Sequence, residues 1–443
     1  VNVTASPRIH AFLLAAGLGT RLRPLTDQLP KCLAPIHGRP ILGDWLDALN
    51  RVADAGIALP EVRVNLHAHP KQVEAFLQRR APRDRIRVTT FYEPTLLGSA
   101  GTLAANPNFA DEADAVLVIY ADNLSDVDLS ELIAFHQRHP DPATMLLFHA
   151  ENPRACGIVQ LDEQNRILEF VEKPVQPRSN LANAGVYVFD TDLYREIAAR
   201  QAFDLGHEVL PDLVGRMRGF SNVVDHRDIG TPESLAQARR DAPRVRSRLW
   251  RGRGQPRPAL FLDRDGTLIH SVHHLTRPEQ VAVLPGVADA LQRFRRAGYV
   301  LVVVTNQSVI GRGLLDENDL ERIHAAMNAQ FEPFDAAPDA IYFCPAVPRD
   351  PEDRLTIDHP DRKPGPGLLL RAAREMDLDL SRSWMVGDTI GDLWAGRHAG
   401  CAGVALVQTG LGITPHEAQT LPEPVLQVAN LAELAHRLLP LHD

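Results

Sequence analysis

The sequence predicts an α/β protein built from two doubly wound, mostly parallel-sheet domains. Three observations lead there. Short apolar runs alternate with amphipathic helical stretches through both halves of the chain, the pattern of parallel strands joined by helical crossovers. A seam rich in Arg, Pro and Gly, "RRDAPRVRSRLWRGRGQPRP", separates the halves. Glycines and carboxylates fall directly after apolar runs, at the carboxyl ends of strands, where ligands gather in such sheets. The domains expected are residues 1–238 and 259–443, joined by a linker at 239–258.

Taken in order, "HAFLLAA", "AVLVIYAD", "ATMLLFHA" and "AGVYVFD" read as buried strands of the first half. "GDWLDALNRVADAG" and "DLSELIAFHQRH" carry the 3.6-residue apolar period of helices. After the seam, "ALFLD", "YVLVVVTN", "AIYFC" and "SWMVGD" are strands. "GVADALQRFRRAG", "ENDLERIHAAMNAQF" and "PGLLLRAAREMDL" are the helices between them. No internal repeat is present. The seam has little apolar periodicity, and its arginines are expected in solvent.

Composition narrows the class. With 443 residues, 44% hydrophobic and 23% charged, the chain can fill two or three cores. No apolar run approaches the ~18 residues of a membrane span, and the first residues carry no secretory pattern. Cys32, Cys156, Cys344 and Cys401 are far apart and form no CxxC pair, as expected of a reducing cytoplasm. His67, His69, His273 and His274 show no metal-ligand spacing. A net charge of -9 disfavours nucleic acid as a partner but allows local phosphate sites. No oligomeric state is legible at this level, and a homo-oligomer is compatible with the sequence.

The second half opens with "PALFLDRDGTLIHS". A buried strand ends on two aspartates, Asp263 and Asp265, one residue apart. Burying carboxylates is costly without a cation or donors, and two so close repel. Gly266 frees the turn and Thr267 can hydrogen-bond locally. "VVVTNQS" places Thr305 and Asn306 at another strand end, able to donate to a phosphoryl oxygen. "RKPGPG" supplies Lys363, and "MVGDTIGD" supplies Asp388 and, one turn later, Asp392. An oxygen-rich set of this kind suits Mg²⁺ and metal-assisted phosphoryl transfer.

DxDGT, Thr-Asn, Lys and GDxxxD in this order resemble the haloacid dehalogenase (HAD) superfamily. "FLDRDGTL", "VVTNQSVIGRG" and "DRKPGPGLL" resemble, more narrowly, its histidinol-phosphate and heptose-bisphosphate phosphatases. The resemblance spans about residues 258–412. It implies that Asp263 is a nucleophile forming a phospho-aspartate, and that Asp265 is general acid, then base. Thr305 and Lys363 would hold the phosphoryl group. Beside that, Asn306 is a candidate for the sugar phosphate, and Arg312 in "VIGRG" is either a substrate contact there or a surface arginine. Mg²⁺ would be held by Asp263, the Asp265 carbonyl and Asp388, with Asp392 close behind. Heptose-bisphosphate phosphatases often carry a Cys/His zinc loop. Here Cys344 remains, Ala346 replaces the histidine, and His359 and Asp361 take the last two positions, so zinc is not expected.

Near the start, "LLAAGLGTRLRPLTDQLPKCLAPI" turns from a buried strand into Gly17, Gly19 and Thr20, where free N–H groups can cradle phosphates. Arg21, Arg23 and Lys31 add positive charge. No Gly-Lys-Ser/Thr follows, so this is not a Walker A loop. The run is similar to that of the sugar-1-phosphate nucleotidyltransferases, and so are "EPTLLGSAGTL", "IYADN", "VEKP", "NAGVYVF" and "RDIGTPESL". The family would make this a Rossmann-like domain over about residues 9–238. It implies nucleotide contacts from Ala16, Gly17, Gly19, Thr20, Glu93 and Gly98, with Gly101 in the same cleft. Asp122 and Asp228 would hold Mg²⁺, while Arg21 and Lys31 stabilise departing pyrophosphate. Lys173 would bind the sugar phosphate, and Glu172 and Asn183 the sugar hydroxyls.

Together the resemblances imply consecutive steps: dephosphorylation of a heptose 1,7-bisphosphate, then transfer of a nucleotidyl group, GMP from GTP, to heptose 1-phosphate, toward surface polysaccharide. The alternatives are a hexose or polyol phosphate substrate, a histidinol-phosphate phosphatase, or one module that regulates without turnover.

Overall fold

The computed structural model describes residues 7–221, 225–250, 255–350 and 353–440, without the side chains of 248–250. The first six residues of the stretch read for a secretory pattern, and residues 251–254 of the expected linker, lie outside the described residues. The chain divides into two compact units. One comprises Val1–Ala34 and Pro40–Ala238, the other Pro35–Arg39 and Arg239–Asp443. The second unit thus takes in five residues that were expected in the first domain.

In the first unit, a nine-stranded sheet runs in the order Ile167–Glu172, Gly157–Leu161, Leu181–Asp190, Ala115–Tyr120, Ile9–Leu14, Val62–Leu66, Val88–Tyr92, with Ala143–His149 and Met217–Phe220 branching from Leu181–Asp190. It is mixed rather than mostly parallel. Ile9–Leu14 is parallel to both of its neighbours, whereas Leu181–Asp190 runs antiparallel to Ala115–Tyr120. The parallel half carries the glycine loop and Asp122. Ile9–Leu14 is buried along its whole length, as a strand covered on both faces must be.

In the second unit, six strands form a fully parallel sheet in the order Ala340–Cys344, Val300–Asn306, Ala259–Leu262, Trp384–Gly387, Gly403–Val407, Leu426–Val428. Alternate residues feed opposite cores, following the two-residue period of a strand. Leu260, Leu262, Leu301 and Val303 enter one core, and Phe261, Val302, Val304 and Met385 enter the other. The helix Glu317–Phe331 starts in a capping box between Asp316 and Asp319. It buries Leu320, Ile323, His324, Met327, Asn328 and Phe331, one face at helical spacing.

The segment expected to be a linker is instead mostly helix: Pro232–Trp250 is continuous, with Pro243 inside it. Ala238, Ala242 and Val245 are buried at i, i+4 and i+7, a stripe too weakly apolar to stand out among arginines. Arg246, expected in solvent, is 1% exposed and donates to the Ile36 carbonyl at 3.0 Å. Pro243 has no N–H for the Arg239 carbonyl four residues back. The His37 Nε2 lies 2.6 Å from that oxygen and serves it instead.

Candidate active sites

In the second unit, the acidic residues collect at the carboxyl ends of the central strands. Asp263 follows Ala259–Leu262, and its N–H donates to the Val386 carbonyl at 2.9 Å. Asp388 follows Trp384–Gly387. Asp392 lies in the first turn of the helix Ile390–Ala399, where its Oδ2 accepts from the Thr389 N–H (3.0 Å) and hydroxyl (2.6 Å). One oxygen from each of Asp263, Asp388 and Asp392 lies within 4.8 Å of the others, and all three residues are buried. The turn closes tightly around them. Gly266 has φ 82°, and a Cβ there would lie 2.6 Å from Asp388 Oδ2 and 2.8 Å from the Gly410 Cα.

Lys363 stands among these carboxylates, with its ammonium 2.5 Å from Asp263 Oδ1, 2.6 Å from Asp392 Oδ1 and 2.8 Å from the Val304 carbonyl. Burial opposes its charge, but the two carboxylates prevail and hold its pKa above the usual lysine range. Burial drives the Asp263 carboxyl well above the carboxylate range against the pull of Lys363, and Asp392, Asp388 and Asp265 push it further. Asp388 is raised to about 6 by burial and by Asp392. Four carboxylates here thus share two cations among the described residues, Lys363 and Arg264. The donors are hard oxygens, and a divalent ion would cancel the excess charge, so the residues fit Mg²⁺.

Asp265 is placed differently. Its Oδ2 accepts from Arg264 (Nη2 2.7 Å, Nε 3.1 Å) and from Gln307 Nε2 (3.1 Å), while its buried Oδ1 has no hydrogen-bond partner. Thr305 is 1% exposed and accepts from Gln307 Nε2 at 2.9 Å. The Thr267 hydroxyl is buried without a partner, so the local bond expected of it is not made. Asn306 lies against the Lys363 backbone. Its Oδ1 accepts from the Lys363 N–H at 3.1 Å and one of its two Nδ2 hydrogens goes to the Lys363 carbonyl at 3.2 Å. Arg312 is exposed at the C-cap of the short helix Ser308–Gly311.

Cys344 ends the strand Ala340–Cys344, and His359 and Asp361 follow in the loop after it. Cys344 Sγ lies 3.8 Å from His359 Nδ1, but that nitrogen accepts the Asp361 N–H at 3.1 Å. The Asp361 carboxylate pairs with Arg371 at 3.4 Å.

In the first unit, Asp122 and Asp228 are joined by a short ladder: His226–Asp228 pairs antiparallel with Asn123–Ser125, setting Asp228 opposite Asn123. Lys31, 7% exposed, lies 2.6 Å from Asp122 Oδ2 and 3.0 Å from Asp228 Oδ1. Burial disfavours its charge, yet the two aspartates raise its pKa. The donors are again hard carboxylate oxygens, a chemistry that fits Mg²⁺ here too. Arg21 is near: a Cβ on Gly230 would meet Asp228 Oδ2 at 2.6 Å and Arg21 Nη2 at 2.8 Å.

The glycine loop follows Ile9–Leu14. Gly17 has open space where a Cβ would stand, and Gly19 has φ 62° ahead of the turn Thr20–Leu22. Ala15 and Ala16 donate their N–H groups to Asn65 Oδ1 at 2.6 and 3.2 Å. Asn65 in turn donates to Glu93 at 2.8 Å. Glu93 is 0% exposed and also accepts from Thr102 (2.6 Å) and the Leu97 N–H (3.1 Å). Its carboxylate is therefore a buried brace for the loop and not the nucleotide ligand expected from sequence. Gly98, φ 74°, lies where a Cβ would collide with the Phe203 carbonyl at 2.2 Å.

On the other flank, burial raises the pKa of Cys156, the Glu172 and Asp228 charges raise it further, and Lys173 lowers it. Lys173 is exposed, 3.7 Å from Glu172. Asn183 uses its amide locally, donating to the Tyr187 hydroxyl (2.7 Å) and accepting from the Gly185 N–H (2.9 Å). Sequence reasoning missed Asn65, Arg264, Gln307 and His324. Arg264 and Gln307 stood inside the phosphatase motifs, whereas Asn65 and His324 carry no local signal.

Residues 10–244 match the nucleotidyl transferase family, and residues 361–434 match a HAD-hydrolase-like family. A D-glycero-D-manno-heptose-1,7-bisphosphate 7-phosphatase of Thermosynechococcus vestitus is 43% identical over 165 residues, 35% of this chain and 82% of the relative. A mannose-1-phosphate guanylyltransferase of Mycobacterium tuberculosis is 34% identical over 273 residues, 60% of this chain and 71% of the relative. The crystal structure of a D,D-heptose 1,7-bisphosphate phosphatase from B. bronchiseptica, complexed with magnesium and phosphate, is 35% identical. It covers 41% of this chain and 97% of its own, with a TM-score of 0.37.

The chain belongs to the nucleotidyl transferase family. Its second unit belongs with the HAD phosphatases of the heptose-bisphosphate type. It is a bifunctional enzyme, a nucleotidyltransferase and a phosphatase on one polypeptide. Among the described residues, no helix is long and apolar enough to cross a membrane.

Proposed function

We propose that the second unit removes the 7-phosphate of D-glycero-D-manno-heptose 1,7-bisphosphate, and that the first unit transfers GMP from GTP to the resulting heptose 1-phosphate. The carrying observation is the meeting of Asp263, Asp388, Asp392 and Lys363 at one point. In the phosphatase, an Asp263 oxygen attacks phosphorus and the bond to the C7 oxygen breaks. Asp265 supplies that oxygen's proton. Water then attacks the phospho-aspartate, its proton passes to Asp265, and phosphate leaves. Thr305 and Lys363 hold the phosphoryl oxygens, and Asn306 holds Lys363. Mg²⁺, held by Asp263, Asp388 and the Asp265 carbonyl with Asp392 nearby, would supply charge neutralisation for the phosphoryl group.

In the transferase, a sugar 1-phosphate oxygen attacks the α-phosphorus of GTP and pyrophosphate departs. No protein nucleophile is needed, because positioning and charge carry the rate. Lys31 and Arg21 face the departing pyrophosphate. Asp122 and Asp228 would hold Mg²⁺ on the triphosphate. Ala16, Gly17, Gly19 and Thr20 offer their backbone to the nucleotide, and Glu172, Lys173 and Asn183 flank the sugar. A need for GTP, and a chain whose described cysteines are all free, support the cytoplasm as the compartment of the reaction.

The mannose-1-phosphate named for the guanylyltransferase relative favours a second reading, in which the sugar is a hexose. Mass spectrometry of products formed from heptose 1,7-bisphosphate or hexose phosphates with each of the four NTPs decides between them. Absence of both phosphate release and a nucleotide sugar from the heptose substrates would sink the first reading. Asp263→Asn and Asp122→Ala should each abolish one half-reaction only.

A further inference from the structure

Arg264, between the two aspartates of the DxD motif, is 1% exposed. A guanidinium is buried so deeply only where donors and charge are well matched. Its fork spans three groups. Nε and Nη2 donate to the same oxygen of Asp265, at 3.1 and 2.7 Å. Nη2 also donates to Gln307 Oε1 at 3.0 Å, and Nη1 lies 3.4 Å from His324 Nε2. Burial and the Arg264 charge hold His324 well below its ordinary pKa, so the ring is neutral and its Nε2 can accept. The Gln307 amide closes the circuit, since its Nε2 reaches both Asp265 Oδ2 (3.1 Å) and Thr305 Oγ1 (2.9 Å). Three donors thus converge on Asp265 Oδ2, and Oδ1, buried and unpartnered, is the oxygen left to act.

We propose that Arg264, with Gln307 beside it and His324 behind it, is a positioning residue for the phosphatase reaction: it pins one oxygen of Asp265 so that the other meets the leaving oxygen of the sugar. The proposal rests on the acid–base role given to Asp265 above. The proton on Oδ1 moves to the C7 oxygen as the phosphorus–oxygen bond breaks. A proton of the attacking water returns to Oδ1 as phosphate separates from Asp263. A planar fork fixes a carboxylate in a way that a single ammonium cannot.

The test uses the full chain with Mg²⁺ and two substrates in excess, followed through the pre-steady-state burst and into the steady state. One is heptose 1,7-bisphosphate, whose alkoxide must be protonated to leave. The other is p-nitrophenyl phosphate, whose nitrophenolate leaves unaided and whose burst reports phosphoenzyme formation alone. General acid catalysis contributes ~10²–10⁴-fold. Arg264→Met and Arg264→Lys should therefore slow the sugar substrate at least ~10-fold more than the aryl burst. KM should move far less than kcat, and guanidinium ion should restore part of the loss in Arg264→Met. Asp265→Asn is run in parallel and should show the same leaving-group dependence. If it does and the Arg264 variants slow both substrates equally, or neither, positioning by Arg264 is refuted while the Asp265 role stands. If Asp265→Asn cleaves the sugar phosphate normally, the underlying role fails and the proposal falls with it. Should Arg264→Met fail to fold, Arg264→Lys decides.

Discussion

Asn306 grips the backbone of Lys363 on both sides, accepting from its N–H at 3.1 Å and donating to its carbonyl at 3.2 Å. The two residues are 57 apart in sequence, and this clamp carries the lysine to Asp263 and Asp392. Asn306→Ala removes two hydrogen bonds worth about 1 kcal/mol each. It also frees the segment that aims the ammonium, and a misplacement of ~1 Å can cost on the order of 10²-fold in rate. Phosphate release should fall by roughly 10–100-fold with nucleotide-sugar formation unchanged. Lys363→Met should abolish phosphate release altogether, because two buried carboxylates then lose their shared counter-charge.

Asp263, Asp388 and Asp392 repel one another without a dication. Mg²⁺ bound only by the folded state stabilises it in proportion to the logarithm of its concentration, about 2.7 kcal/mol at 100 times Kd. Titrating Mg²⁺ should raise the melting temperature of the phosphatase unit, and a chelator should reverse it. Asp388→Asn relieves the crowding and should melt higher than the parent in chelator, yet respond little to Mg²⁺. A variant that melts lower in chelator and keeps the full Mg²⁺ response would count against a shared cation.

The segment Pro35–Arg39 gives a sharper test of domain anatomy. Within the second unit, the Gly38 N–H donates to Glu321 Oε2 at 2.9 Å, Asn328 donates to the His37 carbonyl at 3.1 Å, and Arg39 lies 3.5 Å from Asp339. Gly38 has φ 69°, and a Cβ would lie 2.7 Å from the His324 carbonyl carbon and oxygen. Strain in the left-handed region and overpacking together cost about 2–5 kcal/mol. Gly38→Ala should therefore lower the urea midpoint of the phosphatase unit. A protein comprising only residues 259–443 should be less stable than one that retains 239–258 and is supplied with the 35–39 segment.

That segment also marks the limit of what sequence conveys. The parallel strands and their terminal aspartates were legible, because a continuous apolar run that ends in carboxylates is rarely anything but a buried strand opening onto a polar site. Lys31, Asp122 and Asp228 were legible through ordered motifs, although nothing local shows that Asp228 faces Asn123 across a two-strand ladder. What escaped were pairings over long separations. Gly38 to Glu321 leaves no periodic trace, and neither does Asn65 to Glu93. Two residues were misread for a common reason: Glu93 and Arg246 have the chemistry of ligand-binding or solvated groups but spend it on protein. Burial decides that, and a single sequence does not reveal burial for an isolated polar residue.

Glu93 is the case where the two roles predict different outcomes. Were Glu93 a ligand of the nucleotide, Glu93→Gln would weaken GTP binding without disturbing the fold. As a buried brace, the carboxylate instead accepts three hydrogen bonds, from Asn65, Thr102 and Leu97, and through Asn65 Oδ1 it sets the N–H groups of Ala15 and Ala16. The glutamine amide must point an NH₂ at one of these donors, leaving buried groups unsatisfied at about 1–3 kcal/mol. Glu93→Gln should then lower the melting temperature of the transferase unit and raise the KM for GTP together, with phosphate release from the second unit untouched. Unchanged thermal stability with a raised KM would return Glu93 to the nucleotide. Loss of both properties in Asn65→Ala as well would tie the effect to the relay that runs from Glu93 through Asn65 to the glycine loop.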